Sequence, residues 1–189
     1  EVSLRSLLFA PGDSEKKLAK AAESGADCVI LDLEDSVAAS RKPVAREMVR
    51  DYLKAGTNPK VEFYVRVNPL DGPYCLADIA AVAPAAPKGL VVPKANNAAE
   101  LVQISHMLDV LEAEHGLPAG GIGILPVATE TAAAVFNLGS YSKDTPRLRG
   151  ITWGAEDLGA AVGASTNLEA SGQWTSPYVL VRSLCLFAA

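Results

Sequence analysis

Short apolar runs alternate along the chain with longer segments whose apolar positions recur every three or four residues. The runs lie at 4–10 (LRSLLFA), 27–33 (DCVILDL), 61–67 (VEFYVRV), 88–93 (KGLVVP), 121–128 (GIGILPVA) and 149–154 (RGITWG). Rich in β-branched residues, they predict six strands. The segments between them predict helices at about 14–24, 42–55, 74–82, 97–115 and 130–138, with another from about 177 onward. Several strands are apolar on successive residues, as expected when a parallel sheet is covered on both faces. The alternation is that of a parallel α/β fold.

The punctuation agrees. Gly12-Asp13-Ser14 supplies a turn and an N-cap before EKKLAKAAESG, and Gly25 stops that helix. Arg41-Lys42-Pro43 starts the next one, and Gly56-Thr57-Asn58-Pro59 ends it. No boundary interrupts the rhythm, so 1–189 reads as a single domain. The polar stretch 139–148 (GSYSKDTPRL) is a surface connection, and 163–177 (GASTNLEASGQWTSP) is a longer loop suited to binding.

Composition narrows the class. With 49% hydrophobic and 21% charged residues, 15 Gly and 12 Pro, the chain is an ordinary globular sequence, neither disordered nor collagen-like. A net charge of −5 and a pI near 5.1 give no footprint for nucleic acid or an anionic membrane. No apolar stretch reaches the roughly 18–20 residues of a membrane span, and no secretory leader is seen. Cys28, Cys75 and Cys185 are widely spaced with no CxxC pair, which fits a reducing cytoplasm better than a disulfide framework or a zinc cluster. His106 and His115 are nine residues apart in one predicted helix, on opposite faces, and form no joint metal site.

Ligands of parallel α/β folds bind beyond the carboxyl ends of the strands. Here those ends are polar: Pro11-Gly12-Asp13, Glu34-Asp35-Ser36, Arg66-Val67-Asn68, Lys94, Thr129-Glu130-Thr131 and Glu156-Asp157. Converging carboxylates repel one another, and a hard divalent cation relieves the repulsion; Mg²⁺ is content with one or two carboxylates plus waters and substrate oxygens. Glu130 and Asp157 close consecutive predicted strands, about 4.8 Å apart, and so are the candidate metal ligands. Glu34 and Asp35 are placed to orient metal-bound water.

Each residue has a plainer alternative. Glu130 is an acid favoured at a helix start; Asp157 is a cap for DLGAAVG; Glu34 or Asp35 is a surface partner of Arg41 or Lys42. Arg66 is a structural ion pair inside an apolar strand. Lys94 is a Schiff-base lysine, against which the surrounding acids weigh by keeping its amine protonated. Lys16 and Lys17, after the first strand, are either phosphate contacts or solvated lysines. No dinucleotide fingerprint, P-loop or GxSxG elbow is present.

In RSLLFAPG (5–12), DCVILDLEDSV (27–37), RKPVAR (41–46), YVRVN (64–68), LVVPKANN (90–97), PVATETAAAV (126–135) and ITWGAEDLGAAVG (151–163), the sequence resembles the citrate lyase beta-subunit-like family of Mg²⁺-dependent acyl-CoA lyases. The resemblance implies a TIM-type (β/α)8 barrel, with Mg²⁺ held by Glu130 and Asp157. It also implies catalytic roles for Arg66, Glu34 and Asp35; the strand ends and the basic residues near them give the expected substrate-binding surface, Pro11, Gly12, Lys16, Arg41, Arg66 and Lys94. The implied reaction splits a 3-hydroxyacyl-CoA such as citryl-, malyl- or citramalyl-CoA into acetyl-CoA and a 2-oxo acid, in a homo-oligomer, a trimer or hexamer. Such a barrel has eight strands and typically about 250 residues; six βα units are counted here, with the C-terminal part expected to be missing and the general base unnamed. Two other readings stay open: a metal-dependent aldolase acting on a free pyruvate-derived hydroxy acid, and a non-catalytic barrel scaffold.

Overall fold

A computed structural model describes residues 4–56 and 58–189; Thr57, in the predicted helix-ending turn, lies outside the described residues. The strands are β1 (Leu7–Pro11), β2 (Cys28–Asp32), β3 (Glu62–Arg66), β4 (Gly89–Val92) and β5 (Gly123–Pro126). The helices are α1 (Glu15–Ala22), α2 (Lys42–Lys54), α3 (Cys75–Val82), α4 (Ala98–Glu114), α5 (Ala132–Phe136), α6 (Glu156–Val162) and α7 (Ser176–Ala188). The chain divides into two compact units, Glu1–Val91 with Met107–Gly123, and Val92–His106 with Ile124–Ala189.

In the first unit β1, β2, β3 and β4 pair in parallel, each with the next. Every residue of β2 is buried, as a strand apolar on successive positions must be when helices cover both faces. Leu18 of α1 and Ile79 of α3 are buried with Leu31 and Leu90, each contributing about 1.5–3 kcal/mol by leaving water. β1 departs from the expectation. Leu7, Leu8 and Phe9 are 40–48% exposed, because among the described residues this strand pairs with β2 alone. Pro43 sits in the first turn of α2, and Gly25 and Gly56 take φ of 81° and 82°, the left-handed conformation expected just past a helix.

In the second unit the sixth predicted strand is reduced to two parallel bridges, Ile124↔Leu148 and Val127↔Thr152. Two residues lie between the bridged positions on one side and three on the other, so one extra residue bulges out and breaks the ladder near Gly150. Pro126, with no N–H, removes a further ladder bond. The predicted long loop is a small hairpin: Glu169 N–H donates to Gln173 O at 2.7 Å, Thr175 N–H donates to Asn167 O at 3.0 Å, and Leu168 bridges Trp174. Trp174 packs edge-on against Trp153 at 5.2 Å, beside a core of Leu158, Tyr178 and Val181.

Among the described residues no helix is long and apolar enough to cross a membrane. The three cysteines are free and buried. Burial pushes the thiols of Cys28 and Cys75 up to about 12, and raises that of Cys185. Because the thiolate is the reactive form, native protein is expected to react very slowly with a thiol reagent such as DTNB and to titrate all three thiols once denatured. Rapid modification of Cys28 in native protein would contradict this packing.

Candidate functional site

Each unit carries a charged centre at which candidate residues meet. In the first, the parallel register sets Pro11 opposite Asp32 and Asp32 opposite Arg66, so the carboxyl ends of three strands lie side by side. Asp32 and Arg66 make a two-pronged pair: Nε donates to Oδ1 and Nη2 to Oδ2, both at 2.7 Å. Nη1 faces Glu34 Oε2 at 3.1 Å, and the guanidinium lies over the Phe9 ring, 4.7 Å from its centroid. Arg66 is thus held along its edge and on its face, with N–H donors on Nη1 and Nη2 beyond those that Asp32 accepts.

Asp32 also accepts from Glu34 N–H (2.9 Å), Ser36 N–H (3.1 Å) and the Ser36 hydroxyl (2.5 Å), folding the segment after β2 into a turn that presents Glu34. Burial works to raise its carboxyl, but hydrogen bonds and charge from Arg66, aided by Ser36, outweigh burial and hold it below the ordinary carboxylate range. In the sequence Asp32 is one acid within an otherwise apolar run and does not stand out as a site residue. The available signal was that every other side chain of β2 is apolar, so a carboxylate there needs a cation.

A second set of contacts backs this turn. The buried Lys42 ammonium donates to Leu33 O (2.8 Å) and Glu34 O (3.0 Å). Burial lowers its pKa, while Asp78, Asp32, Glu34 and Asp35 oppose that shift. Asn68 donates to Leu33 O (2.9 Å), and fully buried Asp78 accepts from Asn68 and from Arg46 Nε at 2.6 Å. Glu34 therefore pairs through its side chain with Arg66, and its carbonyl meets Lys42. Arg41 turns to Asp13 at 3.5 Å. Asp35 and Lys16 lie on the exposed surface and Pro11 is half-buried. Gly12 has a packing role: its N–H donates to Asp32 O at 2.8 Å, and a Cβ there would lie 2.6 Å from that oxygen and 2.8 Å from Val49.

The second unit brings together Lys94, Glu130 and Asp157. Glu130 lies just before α5, whose N-cap is Thr131, the hydroxyl of which accepts from Ala134 N–H at 3.0 Å. It is therefore not a helix-start acid; its Oε2 accepts Lys94 N–H at 2.5 Å. Lys94 reaches this position with φ of 53°, rare for a residue with a side chain. Asp157 sits in the first turn of α6, whose N-cap is Ala155, and its Oδ2 meets Lys94 Nζ at 3.1 Å. It is reached through the turn 153–155, not directly off a strand end. The Lys94 ammonium, ion-paired in this way, is not poised as a Schiff-base nucleophile.

Glu130 is buried, and burial above all pushes its carboxyl up to about 7; the Asp157 carboxyl, hydrogen-bonded to it, adds to the rise, and Lys94 opposes it. Two carboxyl groups so close make a site short of positive charge. Gly154 leaves the room: a Cβ there would stand 2.8 Å from Glu130 Cγ and 3.2 Å from Oε1. Thr129 fixes this glycine, its hydroxyl donating to Gly154 O at 3.1 Å and accepting Gly154 N–H at 2.8 Å. Among the described residues no group of three or more His, Cys, Asp or Glu is arranged for a metal. A two-carboxylate oxygen set, open to water through Asp157 (36% exposed), fits Mg²⁺, which keeps waters and substrate oxygens in its shell.

The fold and these centres are those of a parallel α/β protein whose strand ends gather acids around fixed cations. The chain belongs to the HpcH/HpaI aldolase/citrate lyase family, which it matches over residues 5–172. It is 36% identical over 168 residues to a citrate lyase subunit beta-like protein of Deinococcus radiodurans, covering 85% of this chain and 54% of that one. It is 32% identical over 160 residues to the (3S)-malyl-CoA thioesterase of Cereibacter sphaeroides, covering 85% and 52%. The structure resembles that of Mycobacterium tuberculosis CitE in complex with magnesium, acetoacetate and coenzyme A, with a TM-score of 0.79, 32% identity, and coverage of 99% of this chain and 63% of that one. The chain thus spans about half the length of these curated relatives.

Proposed function

We propose that this chain belongs to a Mg²⁺-dependent carbon–carbon lyase that cleaves a 3-hydroxyacyl-CoA of the citryl-, citramalyl- or malyl-CoA type into acetyl-CoA and a 2-oxo acid. The observation that carries this reading is the meeting of Glu130 and Asp157 at Lys94, in a family whose relatives are named for citrate lyase and malyl-CoA chemistry. Further support comes from a similar structure whose ligands are magnesium, acetoacetate and coenzyme A. The scaffold we propose is a (β/α)8 barrel acting as one domain, in a homo-oligomer of the reducing cytoplasm, where three free thiols persist.

In this reading Glu130 and Asp157 hold Mg²⁺. When bound, the ion supplies Lewis-acid polarisation of the substrate's oxygens. A general base takes the proton of the substrate hydroxyl, whose carbon becomes the ketone of the 2-oxo acid as its bond to the carbon next to the thioester breaks and that electron pair passes to the thioester as an enolate. Protonation of that enolate gives acetyl-CoA. Arg66 is the residue proposed to meet the developing negative charge. Its guanidinium is set in advance by Asp32, Glu34 and Phe9, so no reorganisation is needed at the moment of reaction. Glu34 is a positioning residue, fixed through its carbonyl by Lys42 and through its carboxylate against Arg66.

Purified protein incubated with each CoA ester and Mg²⁺ is expected to release acetyl-CoA from at least one of them, and excess EDTA is expected to stop it. Turnover undiminished by the chelator overturns the metal reading. Release of free CoA with the acyl carbon skeleton intact would make the protein a thioesterase. Cleavage of the free hydroxy acid alone would make it an aldolase.

A further inference from the structure

We infer that Lys94 is a built-in counter-cation: its ammonium holds the Glu130–Asp157 pair together when the metal is absent and is expelled when a divalent ion binds. The inference rests on the Mg²⁺ reading of that pair and concerns how the pair is kept ready.

Lys94 binds each carboxylate by a different group. Its main-chain N–H is bonded to Glu130 Oε2 at 2.5 Å, and its ammonium is paired with Asp157 Oδ2 at 3.1 Å. The left-handed backbone at φ 53° aims the N–H at Glu130, a conformation that a residue with a side chain seldom adopts without such a contact. The two contacts differ in freedom. The N–H is fixed by the chain and stays; the ammonium ends a flexible four-carbon stem and can leave. The way out is open, because the side chains of Lys94 and Asp157 are 31% and 36% exposed, whereas Glu130 is 6% exposed. Glu130 is also confined by Gly154, against which it packs too closely for a Cβ. The pair therefore has one immobile oxygen donor and one mobile donor, with the Lys94 ammonium placed at the mobile one.

A divalent ion brings twice the charge of the ammonium to the same oxygens and needs room that the ammonium occupies. Exchange of one cation for the other asks nothing of the backbone: Asp157 changes partner, the Lys94 stem swings out, and the N–H bond to Glu130 persists. Two consequences follow. In the metal-free chain the acids are kept from repelling each other apart. On metal binding the expelled ammonium becomes available to an anionic group of the substrate, which links substrate binding to metal binding.

The test measures Mg²⁺ binding and the environment of Lys94, with no reliance on turnover. Wild-type protein is treated with a trace of acetic anhydride with and without saturating Mg²⁺, and acetylation of Lys94 is compared by mass spectrometry with that of exposed Lys16 and Lys60. Mg²⁺ is expected to raise labelling of Lys94 about three- to tenfold against these references, the range expected for loss of a partly exposed ion pair. Calorimetry is expected to show Lys94→Met binding Mg²⁺ about three- to tenfold more tightly than wild type, since its competitor is gone. Heat of Mg²⁺ binding to wild type with no change in Lys94 labelling, or equal affinity in the variant, overturns the inference and leaves the metal site standing. No binding of Mg²⁺ to wild type at all overturns the metal reading and the inference with it. Should Lys94→Met not fold, the wild-type labelling decides alone.

Discussion

Asp157→Ala is expected to abolish detectable Mg²⁺ binding and to lower acetyl-CoA production by about a thousandfold, while the protein still folds. Polarisation by the ion is worth several kcal/mol of transition-state stabilisation, and about 1.4 kcal/mol corresponds to a factor of ten. The stability cost should be small by comparison. Asp157 is a third exposed and sits in the first turn of α6, where an acid contributes about 0.3–1 kcal/mol through the helix dipole. Its removal also ends its contact with the raised carboxyl of Glu130, which offsets part of that loss. Thermal melts in EDTA should therefore nearly coincide for wild type and variant, and only wild type should gain stability when Mg²⁺ is added, as a ligand bound to the native state alone requires. Equal stabilisation of both proteins by Mg²⁺ would place the ion elsewhere.

The same residues show what was legible beforehand. That Glu130 and Asp157 follow two apolar runs was readable, but the strand adjacency expected to join them was not the route: Asp157 comes from the first turn of α6, and both acids meet at Lys94. The strands β1–β5 and the helix that α2 forms were readable because period and punctuation are local. The sixth strand was overcalled, since ITWG has strand composition, and the one-residue bulge that breaks its pairing depends on its neighbour's register. Lys94 was singled out, but its placement between the two acids was hidden. A left-handed backbone at a lysine has no composition signal; it becomes intelligible only beside the carboxylate its N–H meets. Asp32 was missed because one acid inside the apolar run CVILDL reads as strand. Its weight comes from the register that puts it opposite Arg66, a long-range fact.

That register makes Asp32 the position where a single substitution should cost the fold most. Asp32→Ala is expected to lower stability by about 3–5 kcal/mol, the penalty for removing one partner of a buried pair and stranding the other. Arg66 would keep Glu34 and the Phe9 face but lose both of its short hydrogen bonds, and the turn at 34–36 would lose three donors' common acceptor. The pH dependence has a definite sign. Asp32 is held below its ordinary value in the folded chain, so its contribution is complete above the unfolded value of about 3.9 and fades as pH falls through the lower, folded one. The gap in urea midpoint between wild type and Asp32→Asn should thus narrow from neutral pH to roughly pH 3. A gap that widens on acidification would mean that Arg66 does not hold this carboxylate ionised. Adding Arg66→Met to Asp32→Ala should recover part of the lost stability, because the larger share of the single substitution's cost is a guanidinium left without its carboxylate. A double variant as unstable as the sum of its parts would show instead that Asp32 acts through the turn it organises, with Arg66 a bystander.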